Sequence, residues 1–157
     1  MSTVVLRPIS DSDLDAIFEQ MSDPVSVQMA AFTAEDPNNR KAFDAHMARV
    51  MNLTDVTLRA VTNDELLVGT ISSFVLDGVT EVTYWIDRSY WGHGLASRAL
   101  ELLLQEVSHR PLRARVASDN IGSLRVLSKA GFKPDGTEVS YAPARHAEIE
   151  ETLLELS

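Results

Sequence analysis

The sequence predicts an α+β fold built on a mixed, mostly antiparallel twisted sheet with flanking helices, and three observations carry that prediction. Residues 55–86, "DVTLRAVTNDELLVGTISSFVLDGVTEVTYWI", are rich in β-branched and aromatic residues and reverse at "TNDE" and "LDGV", the pattern of three antiparallel strands joined by tight turns. "LASRALELLLQEVSH" then sets Ala96, Ala99, Leu100, Leu103, Leu104 and Val107 on one apolar stripe, and "PLRARVAS" returns to a strand pattern. A strand, helix, strand crossover of this kind forces parallel pairing. Finally, 157 residues with 45% hydrophobic content suit one domain over residues 1–157, large enough to remove roughly 70% of its unfolded surface from water.

The elements follow in order. "TVVLRPI" is a short strand stopped by Pro8, and Ser10 or Asp11 caps a helix with Leu14, Ile17, Phe18 and Met21 on its apolar face. Residues 23–39 read as irregular, with Pro24 and Pro37 as breakers. A second helix runs from about Arg40 to Met51, and the meander and long helix come next. "NIGSLRVLSKAGF" is a short helix closed by Gly131. Two strands, around Lys133 to Tyr141 and His146 to Leu156, complete the chain, although "AEIEETLLEL" has a helix-leaning composition.

Composition excludes several functions. With no cysteine there is no disulfide, thiolate nucleophile or cysteine-ligated zinc. His46, His93, His109 and His146 show no metal-ligand spacing, so no metal site is expected. The net charge of -9 disfavours nucleic acid and favours a cationic partner. "MSTVVLRPISDSDLDAIF" lacks a signal-peptide pattern and no run of about 18 apolar residues occurs, so the expectation is a cytoplasmic protein with no membrane partner.

Chemistry concentrates at "YWIDRSYWGHGLASRAL", residues 84–100, where Gly92 and Gly94 separate a strand pattern from a helix. Glycine lets the backbone turn sharply and approach a ligand, and a helix start directs free N–H groups and partial positive charge toward the turn, which attracts phosphate. By spacing alone the corner is also an ordinary turn or a dinucleotide fingerprint. A Walker loop is excluded because no lysine follows the second glycine. A dinucleotide fold fits poorly: a serine stands at the third glycine's place, Asp119 lies beyond the spacing of about 20 residues, and only 63 residues follow Gly94.

"YWIDRSYWGHGLASRAL" followed by "NIGSLRVLSKAGF" resembles the GNAT superfamily of N-acetyltransferases, in its RimJ/RimL-like branch. The tyrosine-tryptophan strand, the "YWGHGLA" loop and the "N-x-x-S-x-x-V-L-x-K-x-G-F" helix stand in the family's order from about Thr80 to Phe132, and "LRPISDSDLDAIF" extends the likeness toward the start. The resemblance implies a V-shaped opening between the two central strands. It also implies acetyl-coenzyme A as cosubstrate, its pyrophosphate on the loop Trp91, Gly92, His93, Gly94, Leu95, Ala96 and Ser97, its pantetheine arm beside Trp85 and Ile86. Asn120 would bond the pantetheine chain and Ser123 the coenzyme sulfur. The sequence departs from the family pattern at Ser89, where many members carry glutamine or arginine, and at Leu127, where many carry the tyrosine that protonates the thiolate.

Losing that tyrosine is survivable because a thiol near pKa 8.5 leaves tolerably as thiolate. A lysine amine must be deprotonated at a cost of about 4 to 5 kcal/mol at pH 7, an α-amine at about 1. Glu81, in "EVTYWI", matches the glutamate of the family's "E-I-G-Y-W" run and is the leading base, acting directly or through water. The same glutamate reads equally as a solvated residue at a strand start, and Ser123 and Asn120 read equally as a helix back-bond and a cap. Met29, Phe32, Phe74 and Tyr141 are residues for an acceptor pocket. The expected activity is direct acetyl transfer to a primary amine, a protein α-amine or a small molecule, in a ternary complex; a homodimer is the family-typical assembly. A coenzyme-A-binding module without turnover is the alternative, and a nicotinamide-dependent oxidoreductase a distant third.

Overall fold

The computed structural model describes residues 3–157. Among them, seven strands, β1 (Val4–Arg7), β2 (Thr57–Asn63), β3 (Leu66–Leu76), β4 (Val79–Ile86), β5 (Leu112–Ala117), β6 (Lys133–Ala142) and β7 (Ala147–Leu156), form one sheet in the order β1-β2-β3-β4-β5-β7-β6. Every neighbouring pair is antiparallel except β4 and β5, which run parallel across the crossover helix. Five α-helices accompany it among the described residues: α1 (Leu14–Met21), α2 (Pro24–Ala30), α3 (Arg40–Met51), α4 (Leu95–Glu106) and α5 (Ile121–Lys129).

The meander forms as expected because its turn chemistry agrees with strand twist. Asp64 and Glu65 take φ 51° and 72°, and Asp77 and Gly78 take 52° and 77°, so both reversals place two residues in the left-handed region. That geometry matches the right-handed twist of flanking strands. β7 is a strand despite its composition because it lies between β5 and β6, where both backbone edges are paired and Glu151 and Leu154 are buried.

The main core lies between the sheet and one face of α4 and α5. Leu95, Ala99, Leu100 and Leu103 of α4 meet Val61, Ile71, Val82 and Ile86 of the meander and Leu127 of α5. Each fully buried leucine stabilises the fold by about 1.5 to 3 kcal/mol. Helices α1 and α3 join on the other side through Phe18 and Phe43, whose rings lie 5.2 Å apart, with the Arg40 guanidinium over both. The indole N–H of Trp85 fastens β4 to α1 by donating to the Gln20 carbonyl at 3.0 Å.

Two expectations are corrected. Residues 23–39 are not wholly irregular, since Pro24 opens α2 rather than breaking the chain. At the first helical position the missing N–H of proline is no loss. Asp23 caps the helix, its carboxylate accepting from the Ser26 N–H at 3.0 Å and the Ser26 hydroxyl at 2.9 Å. The helix stops at Ala31, fully buried at φ 65°, ψ -52°, where the Phe32 N–H turns back to the Ala30 carbonyl at 2.7 Å.

At the first helix, Ser10 leads into one 3-10 turn, Asp11–Asp13, and α1 begins only at Leu14. Asp13 is buried there, accepting from Arg7 at 2.7 and 2.9 Å and from the Ser10 N–H at 2.8 Å. These bonds, above all the Arg7 guanidinium, hold its carboxyl far below the usual carboxylate range despite burial.

Candidate active site

The site begins where the sheet comes apart. β4 and β5 pair only at Thr80 with Leu112 and Glu81 with Arg113, and beyond Glu81 no pairing joins them. Side chains alternate along β4, so Val82, Tyr84 and Ile86 face the α4 and α5 side while Glu81 and Trp85 face the opposite one. Two cavities open on this split. One, of about 490 Å³, runs from the glycine loop to the start of α5; the other, of about 710 Å³, is walled by Phe18, Phe32 and Phe43 and floored by Glu81, Arg115 and Glu151. Ala30, Tyr84, Trp85, Asn120 and Ser123 line both, so the cavities meet at the opening.

The loop leaves its backbone amides free beside open space. Gly92 and Gly94 sit at φ 80° and 75°, and a Cβ built on either meets nothing within 4 Å. Their conformation calls for glycine, and the space beside them is open. Among the described residues, no amide from Gly92 to Ser97 donates to a backbone acceptor, and α4 has no side-chain cap. Six successive N–H groups are thus left without a backbone acceptor at the positive end of a 12-residue helix, and all of their residues but His93 line the first cavity. Trp91 anchors the loop by donating its indole N–H to the Ile86 carbonyl at 2.8 Å, which ties the loop to the end of β4.

Asn120 and Ser123 sit on the facing wall. The Asn120 side chain caps α5 by accepting from the Ser123 N–H at 3.2 Å. The Ser123 hydroxyl does not back-bond to its own helix: it lies 2.5 Å from the Tyr84 hydroxyl across the split. Burial pushes the Tyr84 phenol above its usual value, partly offset by that hydrogen bond. Leu127, one turn further along α5, is 1% exposed and packs into the core.

On the other side, Glu81 is 4% exposed and both of its oxygens lie near Arg115 Nε, at 3.3 and 3.1 Å. Arg115 also reaches Glu138 at 3.1 Å and Glu151 at 3.5 Å. One guanidinium thus faces three carboxylates, leaving a local excess of negative charge beside the aromatic wall. Burial alone would make Arg115 a weaker base, but Glu81 and the two further carboxylates outweigh it.

Of the residues singled out from sequence, Trp85, Ile86, Trp91, Gly92, Gly94, Leu95, Ala96, Ser97, Asn120 and Ser123 all line the first cavity. His93 is exposed and outside its wall, and Glu81 lines the second cavity instead. Phe32 and Phe74 line that second cavity, Met29 the first, and Tyr141 neither. Sequence reasoning passed over three contributors. Helix α2 supplies Ser26 and Ala30 to the first cavity beside the expected Met29, and its signal was the Asp-Pro pair of a capped helix start. Arg115 and the Tyr84 hydroxyl join residues 34 and 39 positions apart, contacts that only the sheet brings together. Among the described residues no group of three or more histidines, aspartates or glutamates is placed to hold a metal ion, and no helix is long and apolar enough to cross a membrane.

Comparison with known proteins places this geometry. The profile of the Acetyltransferase (GNAT) domain family matches residues 3–133. The chain is 26% identical over 149 residues to the probable N-acetyltransferase YjcK of Bacillus subtilis (strain 168), covering 85% of this chain and 82% of that protein. Among solved structures it shares the fold of RimL, a ribosomal alpha-N-protein acetyltransferase in complex with coenzyme A, at TM-score 0.84 and 16% identity, over 98% of this chain and 93% of that one. Mycobacterium smegmatis RimJ in complex with CoA-disulfide superposes at TM-score 0.82 and 21% identity, over 98% and 81% of the two chains.

Proposed function

The chain belongs to the GNAT acetyltransferase family, and on that premise we propose that it transfers the acetyl group of acetyl-coenzyme A directly to a primary amine. The observation that carries this reading is the run of unpartnered amides from Gly92 to Ser97 opening onto a cavity that meets a second one at the β4–β5 split. The loop amides and Ser97 would take the pyrophosphate, the β4 edge at Trp85 and Ile86 and the Asn120 side chain the pantetheine arm, and Ser123 the sulfur. His93, beside these amides at the surface, would add at most a contact to phosphate. Donor and acceptor then approach from two sides of one sheet.

The acceptor enters through the second cavity. An ammonium group is drawn there by the excess of carboxylate over guanidinium around Arg115. Glu81 receives the proton shed by the amine through a bridging water, its two oxygens sharing a single Arg115 Nε–H and so keeping acceptor sites free. A weak base suffices for an α-amine, whose deprotonation at pH 7 costs only about 1 kcal/mol, against about 4 to 5 for a lysine side chain. The proposed acceptor is therefore an α-amine of a protein or a small molecule, in preference to lysine. Backbone N–H groups near Trp85 and Ile86 would stabilise the oxyanion, a contribution typically of about 3 to 4 kcal/mol.

A calorimetric titration tests the donor half: acetyl-coenzyme A should bind and raise the melting temperature. No heat and no thermal shift at saturating concentration would overturn it. The second reading, a coenzyme-A-binding module without turnover, draws on the buried Leu127, where a proton donor would be needed, and on the pairing of Glu81 with Arg115. Thiol release across peptides, polyamines, aminoglycosides and amino acids separates the two, since the module binds and releases nothing.

A further inference from the structure

Tyr84 has no assigned part in the chemistry above, yet its hydroxyl stands at the one place where both cavities meet, 2.5 Å from Ser123 Oγ. Resting on the reading that Ser123 meets the sulfur, we propose that Tyr84 is a positioning residue for thiolate departure: its hydroxyl donates to Ser123 Oγ and so turns the Ser123 O–H toward the sulfur.

The direction of that bond follows from the two oxygens. A phenol is the stronger acid and the weaker acceptor of the pair, so the phenol donates and the serine accepts. Ser123 Oγ has no other partner among the described residues, and its own proton is left free to aim at the cavity. Each donated bond polarises the next, so a phenol behind the serine strengthens the serine as a donor. Leu127, on the same face of α5, offers no competing donor.

The phenol itself keeps its proton. Burial raises it above its usual value near 10, whereas the leaving thiol lies near 8.5, so transfer from tyrosine to thiolate runs uphill. The amine nitrogen bonds to the acetyl carbon while the carbonyl π pair moves onto oxygen; when that oxyanion re-forms the carbonyl, the C–S bond breaks and its electron pair goes to sulfur. The nitrogen's proton passes toward Glu81 and water. The thiolate is held by the Ser123 O–H hydrogen bond and takes a proton from solvent on release, so Tyr84 and Ser123 end as they began.

The test uses Tyr84→Phe, which keeps the ring, and Ser123→Ala. Each should lower kcat about tenfold, with KM for acetyl-coenzyme A and the melting temperature little changed. The double variant should be no slower than Ser123→Ala alone, because both act through one donor. A readout without turnover is the titration of the coenzyme A thiol bound to each protein, followed by thiolate absorbance. That thiol should ionise about one pH unit lower in the wild type than in either variant. Equal thiol titration in wild type and Tyr84→Phe, or a kcat within twofold, overturns the positioning role alone when the wild type turns over. Absence of thiol release in the wild type on every amine overturns this role and the proposed function together.

Discussion

Replacing Gly94 by alanine separates a turn that merely needs glycine from a loop built to be approached. Gly94 has φ 75°, and the added Cβ meets no atom within 4 Å. The only intrinsic penalty is the left-handed backbone, about 1 to 2 kcal/mol for a residue with a side chain. At roughly 2 to 4 °C per kcal/mol for a chain of this size, the melting temperature should fall by about 2 to 8 °C. Gly78, in the β3–β4 hairpin, supplies the matched control, with φ 77° and equally open space. Gly78→Ala and Gly94→Ala should therefore lose similar stability. Only Gly94→Ala places a methyl in the open space beside the loop where the pyrophosphate is proposed to lie, so it alone should weaken acetyl-coenzyme A binding, by tenfold or more. Thermal melts without ligand and calorimetric titrations of both variants supply the comparison. Equal affinity in the two variants would refute the phosphate role and leave the corner as a turn.

Two further outcomes follow from the charge networks. Arg115→Met leaves Glu81 and Glu151 buried without their cation and should destabilise by about 3 kcal/mol, the low end for a buried pair, because the guanidinium side chain is 31% exposed. Denaturant melts check this, and Glu81→Gln added to Arg115→Met should recover part of the loss; a double variant no better than the single contradicts it. The depressed carboxyl of Asp13 contributes stability that is fully present above the unfolded value near pH 4 and drains away as pH falls toward the lower folded value. Asp13→Asn should thus lower stability at pH 7 by about 2 kcal/mol and flatten the decline below pH 4. A stability profile in acid as steep as that of the wild type would contradict the Arg7 pairing.

What the sequence disclosed and what it withheld divide along sequence separation. The meander was legible because Asp77-Gly78 and Asp64-Glu65 are local turn signals flanked by β-branched runs. The glycine corner was legible because strand, loop and helix are contiguous from Tyr84 to Glu106. Helix α2 was missed because Pro24 reads as a breaker unless Asp23 is recognised as a cap. The setting of Glu81 was hidden for a different reason. On its own strand it looks like a residue beside a turn, whereas Arg115 reaches it only once β5 pairs alongside β4. The Tyr84–Ser123 contact needs more still, since it spans the gap where that pairing stops. Chemistry that depends on the split between two strands has no local signature.

The most direct measurement of the central claim is product identity. The protein is incubated with acetyl-coenzyme A and a peptide that carries one free α-amine and one lysine, alongside small-molecule amines, and each acceptor is weighed by mass spectrometry. The account predicts a product heavier by one acetyl group on an α-amine, formed with stoichiometric thiol release and at least about tenfold more slowly in Gly94→Ala at subsaturating donor. Tight binding of acetyl-coenzyme A with no acetylated product on any amine would contradict it.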